Sequence, residues 1–265
     1  MENRPRKASA DKTSRRPADD DWWRAFFENP DSLRLAFFPE QWVTDRQVDG
    51  LARLLAPWRP RCILDLCCGA GRHMAPLLRR GYPVVGLDAS SMMVARARSA
   101  VGGVGRVVRG EAQRLPLASG AFDVVLCLFN SFGYLPTDEA NQQVLREAAR
   151  CLRPGGRLLL DTRNRAYQLS QLPFSEIVAL QGGGAIWLEC RHDPVRDRLV
   201  SEFRCAGTGR VLHRASIRCY SLAELEAMLT RCGLRLDDTF GGYDWTPLRA
   251  DSREVLILAV RDGGA

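Results

Sequence analysis

The strongest constraint on this chain's fold is a rhythm. Between residues 62 and 161, short apolar runs alternate with amphipathic stretches of helical period. Cys62 to Leu66 reads as a buried strand, and a helix follows from Gly71 to Arg80, with Met74, Leu77 and Leu78 inward and Gly81 as its stop. Pro83 to Asp88 reads as the next strand, and Ser90 is placed to cap a helix reaching about Ala100. Strands over Gly105–Arg109 and Phe122–Phe129 come next. A helix over Thr137–Leu152, closed by Arg153-Pro154-Gly155-Gly156, then leads to a strand over Arg157–Asp161. Strands separated by helices cannot pair as hairpins. They form a parallel sheet with helices on both faces, and right-handed crossovers make it doubly wound.

The rhythm breaks near residue 175. Ala185–His192, Arg198–Arg204 and Val211–Tyr220 are strand-like runs separated by the turn chemistry of Asp193-Pro194 and Gly207-Thr208-Gly209. They predict an antiparallel insertion over 176–219. Ser221-Leu222-Ala223-Glu224 is a capping box that starts a helix running to Cys232, with Gly233 as its stop. Strands over Leu234–Phe240 and Glu254–Val260 complete a mostly parallel sheet of seven. The expectation is an α/β fold whose main domain spans 21–175 and 220–265. Before it, Thr44–Ala56 reads as a helix ended by Pro57 and Pro60. Trp22, Trp23, Phe26 and Phe27 share one helical face, which either packs on the core or covers a pocket.

Composition narrows the partners. The formal net charge is +7, which makes nucleic acid worth considering. The arginines, however, are interspersed with acids and form no basic stripe with interleaved aromatics, which argues against it. Lys7 and Lys12 are the only lysines, both in a polar segment, Met1–Asp20, that reads as a disordered tail with no apolar core of a secretory signal. No apolar run approaches the roughly 18 residues of a membrane span. A cytoplasmic protein is expected. The nine cysteines include no C-x-x-C pair, so no metal site is expected and buried reduced thiols are.

The chemistry points to the strand ends. The first strand runs into Asp65-Leu66-Cys67-Cys68-Gly69-Ala70-Gly71, and a helix opens at once. Glycines there let backbone approach a ligand, and the helix start offers free N–H groups. The second strand ends in Asp88, an acid placed to accept two ribose hydroxyls or, on the plainer reading, to cap the next helix. A dinucleotide turn needs G-x-G-x-x-G, but Cys67 stands at its first position, and Asp65 would repel a pyrophosphate. A ligand with an ammonium and a sulfonium would be attracted to it.

The string Leu64-Asp65-Leu66-Cys67-Cys68-Gly69-Ala70-Gly71 resembles the first motif of the class I S-adenosylmethionine-dependent methyltransferases. With Arg72-His73 behind it, it resembles a bacterial small-molecule branch of that family. The similarity extends to Phe129-Asn130-Ser131-Phe132-Gly133-Tyr134, Leu160-Asp161-Thr162 with Asn164-Arg165, and Tyr220 to Leu225. It implies S-adenosyl-L-methionine as cofactor, S-adenosyl-L-homocysteine as product, and an O or N atom of a small molecule as methyl acceptor. An RNA or protein acceptor and a non-catalytic cofactor-binding protein are the alternatives. The resemblance further implies that Asp65 organises the methionine end, that Cys67, Gly69 and Gly71 form the turn, and that Asp88 holds the ribose. Ala89 and Met93 would flank the adenine, Glu111 and Ala112 would meet its edge, and Phe129 and Asn130 would line the methyl-transfer region. His73, Asn130 and Tyr134 are the candidate catalytic residues. Asp161 and Asn164 fall at the same sheet edge, where each either meets ligand or satisfies loop backbone. His192 and His213 read as surface or structural, and Gly241-Gly242-Tyr243-Asp244-Trp245 reads as either substrate mouth or turn.

Overall fold

Seven strands form one sheet in the order β10-β11-β5-β4-β1-β2-β3. The helices α1 (Trp22–Phe27), α2 (Pro30–Leu33) and α3 (Gln41–Leu55) precede β1 (Ile63–Leu66). The alternation then runs α4 (Met74–Arg79), β2 (Val84–Asp88), α5 (Ser91–Val101), β3 (Arg106–Arg109), β4 (Phe122–Cys127), α6 (Asp138–Cys151), β5 (Leu152–Arg163) and α7 (Arg165–Ser170). A second sheet holds β6 (Phe174–Ala179), β7 (Ala185–Asp193), β8 (Arg198–Cys205) and β9 (Val211–Arg218), after which α8 (Leu222–Thr230), β10 (Leu234–Phe240) and β11 (Glu254–Arg261) complete the first. This computed structural model describes residues 21–33, 40–180 and 183–263, so the tail expected over Met1–Asp20 lies outside the described residues.

The first five strands are parallel, and β11 runs antiparallel to both β5 and β10. Continuous apolar strands follow from burial on both faces. Leu64 and Leu66 of β1, Val125 and Cys127 of β4, and Leu158 and Leu160 of β5 pack in one core with α6 and α8. The alternating residues Ile63, Val124, Leu126 and Leu159 pack in the other, with α3, α4 and α5. The strand order reverses direction at β1 and β4, so their carboxyl ends bound a crevice.

Several boundaries differ from expectation for local reasons. The first crossover helix begins at Met74, because Gly69 and Gly71 hold left-handed φ values of +54° and +81° that a right-handed helix excludes. β4 ends at Cys127, because Phe129 and Asn130 adopt φ +55° and +57°. The expected turn Arg153–Gly156 is absorbed into β5, where the pairing with β4 shifts register. The insertion has four strands rather than three. The extra one, β6, gives no alternating apolar signal because it is a largely exposed edge strand.

The insertion is fastened to the core by two buried arginines. Arg198 donates to the carbonyls of Leu135 at 3.0 Å and Ser216 at 2.7 Å. Arg218 pairs with Asp197 at 2.7 Å and also with Glu224. Its backbone N–H donates to Gly133 O at 2.8 Å. That approach requires glycine: a Cβ on Gly133 would lie 2.2 Å from the Arg218 carbonyl, at φ +93°. α1 bridges the two sheets. Trp22 and Phe26 pack with Ile186, Leu188 and Phe203 of the insertion, and Trp22 Nε1 donates to Ser216 O at 2.9 Å. At its other end, Ser90 Oγ donates to Phe27 O at 2.7 Å and Glu28 accepts from the Ser91 N–H at 2.6 Å.

Candidate functional site

The crevice opens into a cavity of about 580 Å³ between the sheet edge, α1 and the insertion. That volume falls in the range of about 300–1,000 Å³ usual for small-molecule sites. One end is acidic. Asp65 is 2% exposed at the end of β1, and its Oδ2 has no hydrogen-bond partner. Burial raises its carboxyl to about 7, against the lowering effect of nearby Arg72. Asp88 ends β2. Its Oδ2 accepts from the Gly69 N–H and its Oδ1 from the Ser90 N–H, each at 2.9 Å. Burial raises its pKa, and these amides restrain the rise. Ser90 itself caps α5 by accepting from the Met93 N–H. The helix-capping reading and the ligand-facing reading of Asp88 are therefore compatible, since each carboxylate oxygen keeps a second lone pair.

Cys67 holds φ +59°, a left-handed conformation that explains why glycine would suit this position. Gly69 faces open space, with nothing within 4 Å of a Cβ placed there. Ala89, Met93 and Ala112 line the cavity beside it. Gly71 does not. A Cβ there would lie 3.4 Å from Ala97, so this glycine serves the packing of the turn against α5. Glu111 lines the cavity, but Arg24 of α1 holds its carboxylate with contacts of 2.6 and 3.1 Å.

The far wall is aromatic, and Arg72, beside Asp65, reaches across to it. Tyr134 lies 4.9 Å from Trp22, ring centre to ring centre, and parallel to Phe27 at 6.3 Å. Burial raises its phenol to about 12, so it stays protonated at neutral pH. Phe129 and Asn130 hold their strained turn because Asp161, at the end of β5, grips it. The Phe129 N–H donates to Asp161 Oδ2 at 2.8 Å, the Asn130 N–H to Asp161 O at 3.2 Å, and the Tyr243 hydroxyl to the same Oδ2 at 2.6 Å. Asn130 Oδ1 is buried without a partner. Arg72 stacks over the Phe129 ring at 4.4 Å and donates to Gln47 Oε1 at 2.6 Å. His73 lies 3.0 Å from the same oxygen through Nε2. A carbonyl oxygen only accepts, so His73 carries its proton on Nε2 and spends that nitrogen on Gln47. Burial and Arg72 hold its pKa well below the usual value.

Of seven buried side-chain polar atoms without partners among the described residues, five belong to cavity-lining residues: Trp23, Asp65, Arg72, Asn130 and Arg163. Most buried polar groups in proteins are satisfied, so this concentration marks a place for a polar ligand. Sequence reasoning found Asp65 and Asn130, which sit in motifs. It missed Arg72, Arg163 and Tyr243, whose roles depend on residues far away in the chain. Tyr243 answers the doubt over its glycine-rich segment: it is a buried support for the Phe129 turn. Asn164 takes the backbone role, donating to Ser252 O at 2.8 Å and capping α7. His213 packs among the rings of Trp22, Phe26 and Phe203 outside the cavity lining, with its pKa lowered to about 4 by burial.

Residues 63–156 match the profile of a methyltransferase domain. The structure aligns with that of the CcbJ methyltransferase from Streptomyces caelestis at a TM-score of 0.75 and 22% identity, covering 91% of this chain and 98% of that one. The fold is that of the class I methyltransferases. Rat (Rattus norvegicus) glycine N-methyltransferase is 36% identical over 123 residues, 41% of this chain and 42% of that protein. A cypemycin N-terminal methyltransferase from Streptomyces is 29% identical over 220 residues, 80% of this chain and 89% of its own length. The match to the glycine enzyme thus spans less than half of that relative. In methyltransferase terms, the matched domain contains the Asp65 turn, the Asp88 strand end and the Phe129–Asn130 turn, while α1 and the second sheet lie outside it. Among the described residues no helix is long and apolar enough to cross a membrane, and no cluster of metal-ligand side chains occurs.

Proposed function

We propose that this chain is an S-adenosyl-L-methionine-dependent methyltransferase that methylates an O or N atom of a small molecule. The observation that carries this reading is the buried, unpartnered oxygen of Asp65 beside the unpartnered Nη2 of Arg72. An acid and a guanidinium side by side suit the ammonium and carboxylate of an amino acid, such as the methionine end of the cofactor. Asp88 suits the ribose hydroxyls. Met93 and Ala112 offer an apolar slot for the adenine, and Gly69 leaves room for the ligand to pass close to backbone. The bound cofactor would supply an electrophilic methyl group for in-line displacement.

The chain's own work is alignment and exclusion of water. Asp161 and Tyr243 fix the Phe129–Asn130 turn, which keeps Asn130, with its unpartnered Oδ1, at the cavity wall. Trp22, Phe27 and Tyr134 dry the acceptor side. His73 Nε2 is committed to Gln47 and Tyr134 remains protonated, so an acceptor that arrives with a free lone pair, such as a neutral amine, is best served. A cavity of this size, walled by α1 and the insertion, suits a small acceptor better than a polymer, which needs an open groove. Calorimetry with S-adenosylhomocysteine tests the reading. The wild-type chain binds it, and Asp65→Ala binds it at least about tenfold more weakly, as expected for loss of a charged hydrogen-bond partner. No binding by the wild type overturns the proposal.

A further inference from the structure

A second cavity, of about 400 Å³, lies between α3 and the segment joining β10 to β11. Its frame is fixed. A Cβ on Gly50 of α3 would lie 2.1 Å from the Tyr243 carbonyl oxygen, and Trp245 Nε1 donates to Gly50 O at 3.0 Å. Gln47 and Tyr243 line this cavity, and both support the main site: Gln47 holds Arg72 and His73, and Tyr243 holds Asp161. Trp42 also lines it and is 56% exposed, although indoles are mostly buried. Of the charged residues around it, Arg46, Asp49, Arg53 and Asp244 are exposed. Asp49 pairs with Arg80, and Asp244 accepts from the Thr246 hydroxyl at 2.9 Å. Glu254, at the start of β11, is set back in the wall. Among the described residues its carboxylate makes no hydrogen bond and no ion pair within 4.0 Å. Burial pushes its carboxyl up to about 7. It stands opposite Arg163 in the pairing of β5 with β11, and it feels Asp161 and Arg72 as well. With all three ionised, the carboxylates of Asp65, Asp161 and Glu254 share two set-back guanidiniums, Arg72 and Arg163, while Arg253 beside Glu254 is exposed. The group is one positive charge short, and Glu254 is its member reached from the second cavity. A desolvated charge without its own partner is costly, and a ligand that brings the counter-charge offsets the cost.

We propose that the second cavity binds a small organic amine, with its ammonium on Glu254 and its carbon body against Trp42, and that this occupant acts on the main site. The face of an indole attracts a cation and covers apolar surface at once. A bare metal ion fits less well, since one set-back carboxylate is too few ligands and no metal-ligand cluster occurs among the described residues. An anion would meet Glu254, and the exposed Arg46 and Arg53 offer it only solvent-screened contacts. The action on the main site has two routes. The amine lies against Gln47 and Tyr243, and it neutralises Glu254, one of the acids that offset the charge of Arg72. Arg72 then holds an anionic ligand group, such as the cofactor carboxylate, more tightly. The amine site stands without the methyltransferase reading; its effect on cofactor binding rests on it.

The test is calorimetric titration of the full-length chain at about pH 8, where Glu254 is ionised, with phenethylamine, phenethyl alcohol and phenylacetate. Phenethylamine is expected to bind at least about tenfold more tightly than the alcohol, with phenylacetate the weakest. Glu254→Gln should weaken the amine by about tenfold or more, and Trp42→Ala by about fivefold. Trp42→Ala changes a largely solvated side chain, so it keeps the test decisive if Glu254→Gln fails to fold. Saturating phenethylamine should tighten S-adenosylhomocysteine binding by at least about threefold, with the same factor in reverse. Glu254→Gln should show the tighter binding without the amine. The amine site is overturned if amine and alcohol bind equally or if phenylacetate binds more tightly. It is also overturned if Trp42→Ala binds phenethylamine as the wild type does, which would place the amine in the main cavity. Unchanged or weaker S-adenosylhomocysteine binding by the amine-saturated wild type overturns the action on the main site. Phenethylamine binding that needs Glu254 and Trp42, in a chain that ignores S-adenosylhomocysteine, would uphold the amine site and sink the methyltransferase reading alone.

Discussion

The two ends of the cavity are built in different ways. The acidic end comes from consecutive strand-to-helix turns of the parallel sheet: Asp65, Gly69 and Asp88 sit where a strand stops and the chain reverses. The aromatic end is assembled from α1, the loop after β4, the end of β5 and the second sheet, and its members are up to 195 residues apart, from Trp22 to Ile217. One end thus depends on local backbone geometry and the other on packing between distant segments. The first is therefore sensitive to single substitutions in binding, and the second to substitutions that loosen supports.

The largest effect expected at the acidic end is from Gly69→Val. It places a β-branched side chain at φ +54°, in space that only a ligand fills. S-adenosylhomocysteine binding should fall by roughly a hundredfold or more, while circular dichroism shows a folded chain. Near-normal binding would mean that the ligand does not pass this glycine. Asp88→Ala should weaken binding by about tenfold or more, from loss of roughly 1.5–3 kcal/mol of charged hydrogen bonding. An unchanged affinity would remove Asp88 from the site.

A comparable change is expected from pH. The Asp65 carboxyl is raised to about 7, and a ligand ammonium needs it ionised. Affinity should therefore fall by about tenfold from pH 8 to pH 6, a dependence that Asp65→Asn should abolish. The unliganded chain should show the opposite trend. The native state keeps a proton that the unfolded chain releases, so this group makes stability fall as pH rises from 3.8 towards about 7. Denaturant titrations of wild type and Asp65→Asn check the sign.

At the other end, Tyr243→Phe removes a buried hydrogen bond to Asp161 and should cost about 1–2 kcal/mol of stability, with little change in S-adenosylhomocysteine affinity. A large loss of affinity with unchanged melting would make the hydroxyl a ligand contact instead. The smallest effect belongs to Arg24→Ala. Its ion pair with Glu111 is about half exposed on both sides, and such pairs contribute roughly 0–1 kcal/mol. A larger loss of stability would show that α1 is held mainly through Glu111.

The same contrast explains what could be read from the sequence. The seven-stranded sheet was legible because its central strands carry apolar runs between turn residues, and the motifs at its edge are contiguous. Gly71 was misjudged because a glycine that admits a ligand and one that admits a neighbouring helix look alike in sequence. Glu111 could not be seen as occupied, since its partner Arg24 lies 87 positions away. β6 was missed because an exposed edge strand carries no burial pattern. Arg163 is one arginine among many, and only the structure shows that its Nε is buried without a hydrogen-bond partner.

One short helix serves both ends. Trp22 is fastened to the second sheet through Ser216, and Phe27 and Glu28 are fastened to the start of α5. A six-residue segment therefore works as a latch with two catches. On the proposed methyl transfer, anything that moved past it would disturb both fastenings together, so that donor exchange and acceptor arrival would share one clock. The order in which the two partners come and go would be set by how long this latch stays closed, and its timing would appear in turnover even though no atom of α1 takes part in the transfer.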